Sequence, residues 1–84
     1  MKLQAELDFV VEKFKQITNL DEYAVALKTS GNYTDFETRL AWDCLHKTVS
    51  TDTICEWYDK YSCTDEHITT LVKKALKIVR GEGE

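Results

Sequence analysis

The chain has 84 residues, so it makes one domain, just large enough to bury a core without metal or disulfide support. Hydrophobic residues at 43% and charged residues at 31% are ordinary for a globular chain, and zero prolines with three glycines argue against a turn-rich β protein. The net charge of −4 repels nucleic acid and anionic membranes on average, so DNA binding would have to rest on a local basic patch.

The expected class is all-α, a compact bundle of four to five short helices over residues 1–81, with residues 82–84 frayed. From Lys2 to Thr18, Leu3, Leu7, Val10, Val11, Phe14 and Ile17 form one buried helical stripe. Asn19-Leu-Asp-Glu22 reads as a cap for a short second helix carrying Leu20, Tyr23, Ala24 and Leu27, which Gly31 can end in the left-handed conformation. Thr34-Asp-Phe-Glu37 is a capping box that starts the third helix at Asp35. There Leu40, Ala41, Trp42, Cys44, Leu45 and Val49 cover roughly 200° of the wheel, which places this helix in the middle of the bundle. Its polar strip is Arg39, Asp43, His46 and Lys47.

A further capping box, Thr53-Ile-Cys-Glu56, opens a fourth helix with Ile54, Trp57, Tyr58 and Tyr61 inward. After the turn at Ser62-Cys63, Thr64 caps the last helix and Cys63 is placed to staple against Ile68. The core stripe is then Ile68, Leu71, Val72, Ala75, Leu76 and Val79, and Gly81 ends it. Asp65 and Glu66 in the first turn, and Lys73, Lys74, Lys77 and Arg80 toward the end, suit the helix dipole.

The spacing from Tyr58 through the turn to Ile68 and Leu71 resembles a helix-turn-helix over the last two helices, Thr53 to Arg80, about a third of the chain. Two positions depart from that family's pattern: Tyr58 is bulky where a small residue is usual, and Ser62 stands where Gly is usual. The resemblance implies a transcriptional regulator whose DNA contacts would come from Thr64, Thr69, Thr70, Lys73 and Lys77. Asp65 and Glu66 at the reading end of such a helix oppose DNA, and two adjacent bundle helices account for the same spacing.

Cys44, His46, Cys55, Cys63 and His67 are residue types that zinc accepts, but there is no C-x-x-C, and only Cys63 and His67 could share a helix face. No metal and no cofactor are expected. Cys63 before a helix start with His67 one turn on lacks a third residue to orient the imidazole, so no catalytic residue is expected either. The aromatics Tyr33, Phe36, Trp42, Trp57, Tyr58 and Tyr61 are interleaved with acids rather than with Lys and Arg, which favours core packing over a nucleic-acid stacking platform.

Three cysteines without a disulfide rhythm fit reduced thiols, and no apolar run is long enough to span a bilayer, so the expected place is cytoplasmic, with no membrane. Phe9 falls roughly 140° from the centre of the first helix's buried stripe. Exposed there, with Lys13 and Gln16 on its rim, it is the candidate contact surface for a protein partner or for self-association. The function read first is a small non-enzymatic intracellular protein-binding module of the adaptor or inhibitor kind.

Overall fold

The apolar stripes become five helices in the computed structural model, which describes residues 3–31 and 35–81: α1 Gln4–Lys15, α2 Leu20–Ser30, α3 Phe36–Thr48, α4 Thr51–Tyr61 and α5 Asp65–Val79. No strand occurs among the described residues. The radius of gyration is 12.6 Å. A compact domain of this length should have about 12 Å, so the helices close on one core. Residues 82–84 lie outside the described residues, as do Met1 and Lys2.

The core is built where α5 packs on both α1 and α3. Phe14, Val10, Leu40, Leu45, Cys44, Ile68, Val72 and Leu76 are fully buried in it. Leu71 is buried as well, as the stripe required. The wide apolar face of α3 does what its sequence demands, since α3 packs against α1, α2 and α5.

The stripes hold, while the helix starts move. The third helix begins at Phe36, one residue later than expected, because Asp35 is its cap: Asp35 Oδ1 accepts from the Thr38 N–H at 3.2 Å. Thr34, to which the sequence assigned that role, lies outside the described residues. The fourth helix begins at Thr51, and Ser50 rather than Thr53 caps it, Ser50 Oγ accepting from the Thr53 N–H at 3.2 Å. A hydrophobic staple decides between the two: with Ser50 as cap, Val49 and Ile54 occupy the positions that clasp a helix start, and both are buried. Asn19 makes no side-chain cap bond and stands in the left-handed region (φ 61°), while Gly31 is extended at φ −137° rather than left-handed. Gly81 does end α5 with positive φ (77°).

At α5 the cap is Thr64, as expected, but its partner is unusual. His67 stands where capping boxes carry Glu or Gln, and its Nδ1 accepts from the Thr64 N–H at 2.9 Å. Cys63 and Ile68 are the buried staple positions, and the Cys63 thiol donates to the Trp57 carbonyl at 3.4 Å. Ser62 takes the left-handed conformation (φ 49°) that a helix-turn-helix usually gives to glycine.

Candidate partner-binding surface

Two side chains of α4, Trp57 and Tyr61, reach the flank of α1 that carries Glu6, Phe9 and Lys13. The Tyr61 hydroxyl donates to Glu6 Oε2 at 2.7 Å, and the Phe9 ring meets Trp57 edge-on, with centroids 6.3 Å apart and planes at 89°. Trp57 itself is only 6% exposed, whereas Phe9 keeps 41% of its surface in solvent. Phe9 is therefore exposed, as its wheel position required, but is not isolated, since one edge is clamped by a core tryptophan. The sequence placed Trp57 on the inward face of its helix and Phe9 opposite the buried stripe of the first, without saying that these two helices meet.

One turn on from Phe9, Lys13 folds back so that its Nζ lies 5.4 Å from the Phe9 centroid, a cation–π contact that holds the ring in one place. Gln16, the C-cap residue of α1, is exposed one further turn along. Glu12 and Lys15 pair across the neighbouring turn at 3.7 Å, so the ring is surrounded by long polar side chains. An oriented aromatic with a desolvated underside and a polar rim is the local anatomy of an interface anchor.

The α5 residues singled out for DNA are engaged in other ways. The Trp42 indole N–H donates to Thr69 Oγ1 at 3.0 Å, so Thr69 faces α3. The Thr70 hydroxyl donates back to the Glu66 carbonyl at 3.0 Å. Lys73 Nζ sits 3.4 Å from Asp35 Oδ2, and Arg80 lies 3.5 Å from Glu37 Oε1, so two of the four basic residues turn toward the cap and first turn of α3. Asp65 accepts from the Tyr58 hydroxyl beside the turn. Lys74 and Lys77 are exposed.

Most of the side chains with chemistry of their own are buried or held in structural contacts. Burial is the main cause that pushes the Cys44 thiol up to about 11, away from the reactive thiolate, and Cys63 is buried on the Trp57 carbonyl. The third thiol, Cys55, is exposed, and all three cysteines are free. His67 is committed to the α5 cap, and His46 stacks on Trp42 with centroids 5.6 Å apart. No group of three or more His, Cys, Asp or Glu side chains placed to hold a metal ion occurs among the described residues. Among them, too, no helix is long and apolar enough to cross a membrane. No known protein family, curated protein or solved structure matches the chain.

Proposed function

We propose that the chain is a small, non-enzymatic protein-binding module of the adaptor or inhibitor kind, working inside the cell and presenting Phe9, Lys13 and Gln16 to a protein partner. The observation that carries this reading is the pinned Phe9 ring, 41% exposed, gripped by Trp57 along one edge and by Lys13 above. A ring fixed in place loses little conformational freedom on binding, so more of its burial is realised as affinity. The free thiols, one of them exposed, suit a reducing compartment.

A DNA-binding reading ranks below it. Thr69 and Lys73 are occupied by Trp42 and Asp35, and the start of α5 presents Asp65 and Glu66. The groups left to meet phosphates are too few for strong, salt-sensitive binding.

Phe9→Ser tests the proposal. The expected result is loss of a specific captured protein, or of self-association in sedimentation, with a stability loss of only about 1 kcal/mol for the missing edge-on aromatic pair. Capture and association equal to wild type would remove Phe9 from any interface. Retention of duplex DNA at physiological salt, abolished by replacing Lys73 and Lys77 with Glu, would put the helix-turn-helix reading first.

A further inference from the structure

A second surface lies on the other flank of α1, away from Phe9. There the start of α1 and the outer side of α5 enclose a groove of about 540 Å³ whose floor is Leu3, Leu7 and Leu71. Its rim is Gln4, His67, Thr70 and Lys74. Through the shared residues Thr70 and Lys74 it runs into a second depression of about 280 Å³ reaching Lys73 and Lys77. From His67 to Lys77 the surface follows α5 for roughly 15 Å at the helical rise, room for about three turns of a second helix.

Charge sets this groove apart. The chain has 15 acidic residues against 11 basic ones, yet neither depression has an Asp or Glu in its lining. Two further depressions, around α2, both include Asp21 and a glutamate. Most described lysines are also committed elsewhere: Lys13, Lys47 and Lys60 over aromatic rings, Lys15 and Lys73 to carboxylates. Lys74 and Lys77 have no such partner among the described residues, and both are exposed along the groove.

His67 adds a donor. Its Nδ1 accepts from the Thr64 N–H, so in the neutral ring the proton sits on Nε2. An aliphatic floor beside ammonium, imidazole N–H and amide donors complements a helix with apolar anchors on one side and carboxylates beside them. It suits a nucleic-acid strand less well, because no Phe, Tyr or Trp ring lines it as a stacking platform and its floor is aliphatic.

We propose that this groove along α5 docks an acidic amphipathic helix of a protein partner, with apolar side chains one turn apart over Leu3, Leu7 and Leu71 and carboxylates toward Lys74 and Lys77. The proposal rests on the protein-binding reading but not on Phe9.

The test uses the full chain to select from a displayed library of random helical peptides, with the best peptide then measured by fluorescence polarisation. Acidic peptides with apolar residues at i and i+4 should be enriched. The double variant K74E/K77E should weaken the selected peptide by about tenfold or more. Thr70→Trp, which fills the exposed joint between the two depressions, should do the same without reversing charge. No enrichment, a neutral or basic consensus, or unchanged affinity in K74E/K77E overturns the groove. A selected peptide lost in Phe9→Ser but kept in K74E/K77E overturns the groove while leaving the protein-binding reading standing. Self-association of wild type that disappears in K74E/K77E, or displacement of the peptide by a duplex oligonucleotide, assigns the surface to a second copy or to nucleic acid and overturns the proposal equally.

Discussion

Tyr23 joins α2 to α3 through its hydroxyl, which donates to Asp43 Oδ2 at 3.1 Å, while Lys47 Nζ lies 4.9 Å from the ring centroid and Arg39 pairs with the same carboxylate at 3.4 Å. Burial and then the Asp43 carboxylate push the Tyr23 phenol up to about 12, and burial and Asp65 do the same for Tyr58. Both folded values exceed the ordinary 10, so the unfolded chain ionises first on the way up. The stability these phenols contribute is complete below about pH 10 and is lost as pH rises from there toward 12. Denaturant midpoints should fall over that alkaline window, and Tyr23→Phe with Tyr58→Phe should flatten the fall; an unchanged slope in the double variant would assign it to other groups. Asp35 behaves oppositely. Its bonds from Thr38 hold its carboxyl below the usual range, so its contribution is present above about pH 4 and fades below it. The sequence could place Tyr23 on an apolar stripe and Asp43 on a polar strip, but their meeting depends on how two helices cross, which no periodicity encodes. Phe9 is the same case: its exposure was legible on the wheel, its grip by Trp57 was not.

At the level of elements, helical periodicity fixed which segments are helices and which faces they bury, and the errors collect at the ends. Ser, Thr, Asp and Asn crowd the stretches before α3 and α4, so each start offers several cap candidates of similar intrinsic strength. At α4 the choice falls to packing, where the buried pair Val49 and Ile54 selects Ser50; α3 starts at Phe36 with a side-chain cap from Asp35. The turn before α5 yields a sharper expectation. Ser62 holds φ 49° without the backbone freedom of glycine, which costs an L-residue roughly 1–2 kcal/mol. Glycine removes that strain and adds back about 0.4–1 kcal/mol of unfolded-state entropy. Ser62→Gly should therefore stabilise the protein by about 0.5–1 kcal/mol in equilibrium urea unfolding. Asn19, at φ 61°, is a residue that tolerates the left-handed region, so Asn19→Gly should be nearly neutral. If both variants respond equally, residue type at these two turns is not what sets their strain.

Across the whole molecule the five helices are unequal partners. Helices α1, α3 and α5 each contribute at least four fully or nearly buried side chains to the shared core, whereas α4 contributes Ile54 and Trp57, and α2 only Ala24. Leu20, Tyr23 and Leu27 of α2 are half-buried against that core, and Val25 on its opposite side is 65% exposed. Local opening costs least where few apolar contacts are broken, so α2 should behave as a separate, weaker unit. In native-state hydrogen exchange, amides of α1, α3 and α5 should share the global unfolding free energy and its full denaturant dependence, while those of α2 exchange sooner and with a shallow denaturant slope. Tyr23→Phe, which cuts the hydroxyl's bond to Asp43, should lower protection in α2 and leave the α1 and α5 amides close to wild type. Protection in α2 equal to that of α5, with the same slope, would show one cooperative unit and remove this hierarchy. The same measurement bears on the two proposed surfaces. The α5 groove borders two helices that supply much of the core and the Phe9 ring is braced by Trp57, so both should remain formed while α2 opens. A partner at either surface should consequently raise protection in α1 and in α4 or α5 and leave α2 exchanging as before.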